Sequence, residues 1–481
     1  MLGFRGCLRL IAVWTLFIAI GSCSRDDAFA GYEEKISECL DSDTECEKWA
    51  KNNQCLENAY FMREKCHKSC GVTPDCTPKD SPKPWAGRAT ADGTRLFSTM
   101  YPGAYHAAEH HWRRDPAMGE YYLPGQQMRG APWLHLSSLG VGTYLGDTDA
   151  QTDEQVTTAI IASVHRGWNC IDTASNYRIS RAEKSVGTAL NALFSGNVGI
   201  TRDMLLISTK AGYIADDIAD NLMIRGSKNG GVVTDDIVGG NCIHPKCLDA
   251  SLKRSLSALN LATVDILYLH NAAESHLGGL ENKAFLKRLR EAFVWLEGAR
   301  KEGKIAAYGM ATWDCFRKAP EKGGLQLQEI VKLAESVGGR NHGFRYVQLP
   351  INARMREAWE QEWQAVEVDG QTPKMTFMEA AARLGVGVFA SAPLLEGELL
   401  KDEALRVKLD EVKELSLLHN LGTKLLQISR STPLLTTALI GHKAAKNADA
   451  NVRLIALDPL NEDQFYSVMA QIDGGAKQAT V

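Results

Sequence analysis

The sequence predicts an α/β protein: a (β/α)8 TIM barrel preceded by a small disulfide-rich module. Three observations predict it. From about residue 133 onward, short apolar runs alternate with amphipathic stretches of helical period, and about eight such units fit a barrel with loop insertions. Six of the 12 cysteines crowd between Cys39 and Cys76, where few apolar residues are available to build a core. Four polar residues, Asp172, Tyr177, Lys210 and His270, stand at or just past the ends of successive apolar runs, the place where a barrel keeps its chemistry. An open doubly wound sheet is the alternative fold.

The strands are expected at 136–142, 169–172, 205–210, 264–270, 305–310, 346–349, 386–391 and 437–440. Each is a short apolar run of the kind that forms a buried parallel strand. Helices are expected from 153, with Val156, Ile160 and Val164 on one face, and at 181–193, 245–259, 285–300, 447–457 and 462–472. Pro245 suits the first turn of its helix. The stretches 317–344 and 358–374 read as surface loops. Gly140, Gly142 and Gly146 resemble a dinucleotide-binding glycine loop, but the third glycine falls one residue late and the next helix starts several residues on. A Rossmann fingerprint is rejected there.

The net charge of -4 gives no nucleic-acid or polybasic membrane signature, and the 44% apolar and 23% charged shares are those of a globular protein. Arg5 and Arg9 precede an apolar run at 10–20. That run is short against the ~20 residues a bilayer needs, so residues 1–23 read as a signal peptide, with a short anchor as the alternative. Cleavage is expected near Gly21 to Cys23, or after Ala28 to Ala30. The expected organisation is 1–23 targeting segment, 31–76 module, 77–132 linker and 133–473 barrel. The linker is rich in Pro, Gly and charge and lacks a sustained period. Its His106, His110 and His111 read as a solvated cluster.

Six cysteines behind a targeting segment imply three bridges, for which spacing leaves 15 pairings. Cys39, Asp41, Cys46, Trp49, Cys55, Met62, Cys66, Cys70 and Gly71 give the segment a resemblance to the ShKT module. The resemblance implies the pairs Cys39–Cys76, Cys46–Cys66 and Cys55–Cys70. The chain departs from that module in the four residues between Gly71 and Cys76. It departs again in Arg63 and Glu64, where channel-blocking members carry Lys-Tyr. A protein partner for the module is expected rather than a toxin role. Further on, Cys242, His244 and Cys247 read as a local disulfide or two thiols, with a metal set the remoter option.

The barrel resembles the aldo-keto reductase superfamily from about residue 133 to 457. The resemblance rests on Leu139 to Thr143, Ile171 to Ala174, Tyr177, Glu183 with Gly187, Ser208 to Lys210, Leu269-His270, Lys304 to Gly309, Gln348 and Pro393-Leu394. It implies a (β/α)8 barrel that binds NADP, or NAD, without a Rossmann domain. It implies cofactor contacts at Gly142, Thr143, Tyr144, Asp172, Thr312, Gln348, Pro393, Leu394, Gly441, Lys443 and Asn451, with no metal. It implies a catalytic set of Asp172, Tyr177, Lys210 and His270.

Hydride transfer to a carbonyl needs a proton for the oxygen. Tyr177 is the expected acid. Lys210 is expected to lower its pKa, Asp172 to hold the lysine, and His270 to orient the carbonyl. Three positions depart from the family: Ala311 replaces a serine before Thr312, Ser391-Ala392 lack the usual stacking aromatic, and Ala450 replaces an acid. His442, Lys443 and Lys446 are the expected contacts for a 2′-phosphate. The expected function is interconversion of an aldehyde or ketone and an alcohol in the endoplasmic reticulum lumen or outside the cell. The alternative is a cofactor-binding sensor or interaction protein.

Overall fold

The computed structural model describes residues 44–51, 66, 83–101, 134–196, 199–214, 236–277, 282–443 and 445–474. Eight parallel strands close into a barrel: β1 Leu139–Gly142, β2 Cys170–Asp172, β3 Leu206–Ala211, β4 Val264–His270, β5 Ile305–Ala311, β6 Phe344–Pro350, β7 Gly387–Ser391 and β8 Thr437–Gly441. Each strand pairs with its sequence neighbours, and β8 returns to β1 through Gly142 opposite Gly441. The expected (β/α)8 architecture is therefore the observed one, and the doubly wound alternative is excluded by closure.

Side-chain parity decides what each strand offers to the barrel interior. Leu206 on β3 and Ile266 on β4 join Cys170, Tyr268, Phe389 and Leu439 in one buried cluster. Ile207, Leu267 and Leu269 belong to the larger core beneath the helices. Lys210 shares the parity of Leu206, and His270 that of Ile266. Both therefore turn inward at the strand ends. Thr209, of opposite parity, donates instead to Glu183 on the preceding helix (2.6 Å). Between β5 and β6 the register shifts at Gly309, where a Cβ would sit 1.9 Å from the Tyr346 carbonyl oxygen. Only a residue without a side chain fits that approach.

The helices that cover the barrel include α1 Ala150–Val164, α2 Arg181–Ser195, α3 Pro245–Leu259, α4 Asn282–Lys301, α5 Leu327–Gly338, α6 Phe377–Arg383, α7 Leu421–Arg430 and α8 Ala445–Asn451. Helix α5 corrects the expectation of a surface loop at 317–344. Leu327, Ile330, Val331 and Ala334 recur at helical spacing and are buried. The stretch 358–374 is likewise docked rather than loose. A short antiparallel pair joins Gln364–Ala365 to Lys374–Met375, and the Gln364 side chain accepts from Leu327 N (2.7 Å) and donates to the Leu325 carbonyl (3.0 Å).

Residues 83–101, read as part of a tether, pack on the N-terminal end of the barrel. Trp85 pairs with Leu261 just before β4, and its indole donates to Asn191 (2.7 Å). Ala89 N donates to Asp265 (2.6 Å). A helix at Ala91–Met100, capped by Thr90, buries Phe97. The pattern was too short and too interrupted by Pro and Gly to show this from composition. Of the expected module bridges, Cys46–Cys66 is present. Cys39, Cys55, Cys70, Cys76, the histidines at 106, 110 and 111, and residues 1–23 lie outside the described residues. Among the described residues no helix is long and apolar enough to cross a membrane.

Candidate active site

Strand register gathers the site at the C-terminal end of the barrel. Asp172 ends β2 opposite Gly142 on one side and Ser208 on the other, while Ala311 on β5 lies between His270 and Gln348. These residues line, or lie directly beneath, a cleft of about 690 Å³.

At its floor Lys210 and Asp172 form a buried ion pair, Nζ to Oδ2 2.5 Å. The other carboxylate oxygen accepts from Ser208 Oγ (2.7 Å) and Gln348 Nε2 (2.9 Å). Lys210 also donates to the Thr173 carbonyl (2.9 Å). With its hydrogen bonds made, the pair escapes most of the penalty of burying unpaired charge. The ammonium stands 4.6 Å from the centre of the Tyr177 ring. That ring meets His270 edge to face at 5.7 Å and Tyr144 at 5.0 Å. All four expected catalytic residues are thus brought together.

The lysine pulls on Tyr177 in the expected direction, but burial decides the outcome. Lys210 was expected to lower the Tyr177 pKa. Burial outweighs the lysine's attraction and holds the phenol above its ordinary value, so Tyr177 keeps its proton at neutral pH. Burial also opposes the Lys210 charge, yet Asp172 and Tyr177 together keep the lysine above its usual value. Burial, aided by the Lys210 charge, pushes His270 well below the ordinary histidine range. His270 is therefore a neutral imidazole.

Of the expected cofactor residues, Gly142, Thr143, Tyr144, Asp172, Thr312, Gln348, Pro393, Leu394, Gly441 and Asn451 all line the cleft. Lys443 does not line it, and pairs with Asp147 at 3.2 Å on the surface. Thr312 Oγ1 is buried in the cleft wall, with only the weak Cys315 thiol beside it among the described residues. The loop after β7 holds Ala392, Leu395, Glu396 and Gly397 at positive φ, a conformation that non-glycine residues adopt at functional sites.

His442 was expected as a phosphate contact, but its ring turns inward. It lies 4.5 Å from Trp168, bonds Ser163 Oγ and Asn451 Nδ2 (both 3.0 Å), and is pushed down to about 3 by burial and by Arg166. His276, buried beside Asn241, is held at about 4. A histidine whose folded pKa lies below its unfolded value stabilises the fold fully above ~6.5, and this stability is lost as pH falls. Urea unfolding is expected to show stability declining from pH 6.5 to 5, against the opposite contribution of Glu183, whose carboxyl burial pushes up, with a shallower decline in His442→Gln. A flat profile would contradict the neutral rings.

Sequence reasoning missed Tyr213, Asn271 and Trp313, which line the cleft, and it missed Glu274. The Glu274 carboxylate accepts three successive backbone N–H groups, from Trp313 (2.8 Å), Asp314 (2.7 Å) and Cys315 (3.1 Å). It clamps the loop that carries Thr312. No local pattern marks a contact across about 40 positions. Glu274→Ala should cost about 1–3 kcal/mol in denaturant unfolding, and Glu274→Gln, which keeps an acceptor, should cost less. Cys242 and Cys247 form a disulfide, and His244 Nδ1 accepts from Lys246 N (3.2 Å) as a helix cap, so the metal option gives way to the local bridge.

Residues 138–327 match the aldo/keto reductase family, and residues 38–72 match the ShK domain-like family. The aldo-keto reductase ausK of Emericella nidulans is 29% identical over 186 residues, covering 37% of this chain and 39% of that protein. Its counterpart in Aspergillus calidoustus is 28% identical over 158 residues, 32% of this chain and 35% of that protein. The chain thus spans well under half the length of these relatives. Similar solved structures include an aldo/keto reductase from Klebsiella pneumoniae in complex with NADP and acetate. It has 16% identity, covers 72% of this chain and 95% of that one, and has a TM-score of 0.48. Another is the holo form of an aldo-keto reductase from Bacillus halodurans, with 19% identity, 73% and 96% coverage and a TM-score of 0.48. Residues 138–327 of the barrel thus carry the aldo/keto reductase pattern, and residues 38–72 ahead of it carry the ShK-like one.

Proposed function

We propose that this chain is an NADP-dependent oxidoreductase that interconverts a small aldehyde or ketone and its alcohol, with Tyr177 as the general acid and base. The observation that carries the reading is the buried Asp172–Lys210 pair beneath Tyr177 and His270 on the floor of one cleft. A protonated phenol is the form that donates to a carbonyl oxygen. Lys210 stabilises the phenolate left behind, and Asp172 holds the ammonium in place. A neutral His270 can offer a ring N–H to the same oxygen and fix its orientation.

A nicotinamide dinucleotide suits the cleft because Thr312 Oγ1, buried in its wall, has no stronger neighbour than the Cys315 thiol. Thr312 and Gln348 would hold the carboxamide. The backbone around Pro393 and Leu394 and the residues Gly441 and Asn451 would hold the rest, and when bound the nicotinamide supplies the hydride. The exposed Lys443 and Lys446 favour NADP over NAD, which the dissociation constants of NADPH and NADH would decide. The bridges Cys46–Cys66 and Cys242–Cys247 support an oxidising compartment, either the secretory lumen or the exterior. The ShK-like segment is proposed as a surface for a protein partner.

The test is NADPH oxidation by the full chain over a panel of neutral aldehydes and ketones. Multiple turnovers are expected. Nucleotide binding without turnover on any carbonyl would favour the cofactor-binding sensor instead.

A further inference from the structure

Directly after Tyr177 the backbone is left-handed at three successive non-glycine residues, Arg178 (φ 50), Ile179 (φ 55) and Ser180 (φ 64). Such residues visit this region one at a time as a rule, and a run of them persists only where the surroundings over-determine it. Apolar burial does not hold this turn, since Ile179, its β-branched centre, is 78% exposed. Polar contacts hold it. Ser180 Oγ donates to the Ser175 carbonyl at 2.6 Å. The Arg178 side chain is buried and ion-paired with Asp153 in the first turn of α1. Its Nε also donates to the Asp147 carbonyl at 3.0 Å. Asp153 is itself shared with Arg181 (2.5 Å) and Ser185 (3.4 Å).

The guanidinium therefore ties two loops to one helix. One is the β2 loop that ends in Tyr177. The other is the β1 loop that carries Tyr144, whose ring touches Tyr177. Gly146 in that loop, at φ +126, packs against the first turn of α1: a Cβ there would clash with Thr152 at 2.6 Å, and would stand in ordinary contact with Arg178 Cδ at 3.6 Å. Neither Arg178 nor Asp153 lines the cleft.

We infer that the Arg178–Asp153 pair is a positioning device that sets the Tyr177 hydroxyl against its reacting partner, acting on the chemical step and not on binding. This rests on the proposed role of Tyr177. In Arg178→Met, kcat is expected to fall by about 10²-fold, as a small misplacement of a reacting group can cause, while KM and the NADPH dissociation constant stay within about twofold of wild type. Arg178→Lys should recover part of the loss. Asp153→Asn should match Arg178→Met, and the double variant should be no worse than either, since both remove one interaction. If Arg178→Met does not fold, the lysine and Asp153→Asn variants carry the same comparison.

A folded Arg178→Met enzyme with unchanged kcat, or with only KM raised, would overturn the inference. Tyr177→Phe, assayed alongside, separates the two ideas. If it keeps full activity, the acid assignment fails, and the placement is then read from the phenol itself. Ultraviolet titration, with Tyr177→Phe as the blank, reports a phenol faced by Lys210, Asp172, Tyr144 and His270. Its ionisation should move toward that of an ordinary tyrosine in Arg178→Met. An unmoved titration would overturn the inference without any substrate.

Discussion

Tyr177→Phe is expected to lower kcat for carbonyl reduction by about 10²- to 10⁴-fold, the span that a positioned proton donor contributes. The nucleotide dissociation constant should change little, because the lost hydroxyl serves the reacting oxygen. The phenol is held above its ordinary pKa by burial and His270 is neutral. The reductive rate in the wild type should therefore be nearly level between pH 6 and 9, where neither group changes charge. A bell centred near neutrality would assign the proton to another group. Full activity in the phenylalanine variant would remove Tyr177 from the mechanism.

The second large effect is on stability and activity together. Asp172→Asn strands the Lys210 ammonium in a buried site, and breaking such a pair costs about 3–5 kcal/mol. The asparagine oxygen can still accept from Ser208 and Gln348, so the loss is electrostatic rather than steric. Adding Lys210→Met should restore much of the stability, because no charge is left to compensate, although the Thr173 carbonyl loses its Lys210 donor. The double variant should nevertheless turn over at least about 10²-fold slower than wild type. Guanidinium unfolding and steady-state rates measure both. A double variant as active as wild type would make the pair structural only.

The pH dependence of stability follows with an explicit sign. Lys210 and Tyr177 both have folded pKa values above their ordinary ones. Their contribution is whole below about pH 10 and is lost as pH rises further, since the unfolded chain releases its protons first. Alkaline destabilisation should be weaker in the double variant.

The legible parts of this protein were those written in a local period. Strand β4 was expected at 264–270 and is found there because its seven residues are all buried and the apolar run Ile266 to Leu269 ends in His270. Asp172, Lys210 and His270 stood out because charge at the end of such a run has no place in an apolar core. Helix α5 was missed although its buried face recurs at helical spacing, since the glycines and charges around it broke the surrounding pattern. The packing of Trp85 and Ala89 on the barrel end was illegible, because their partners Leu261 and Asp265 lie about 176 positions away.

The sequence by itself determined the barrel, the sulfur-rich segment ahead of it and the identity of four polar residues at strand ends, because burial period and strand parity are local properties. Only the tertiary structure decided how those residues behave. It raised the tyrosine pKa that proximity to lysine alone would lower, turned His442 away from the role its neighbours suggested, and set Glu274 and Arg178 as clamps on loops that carry Thr312 and Tyr177. Desolvation and long-range hydrogen bonds depend on which surfaces meet, and that is fixed only when the barrel closes.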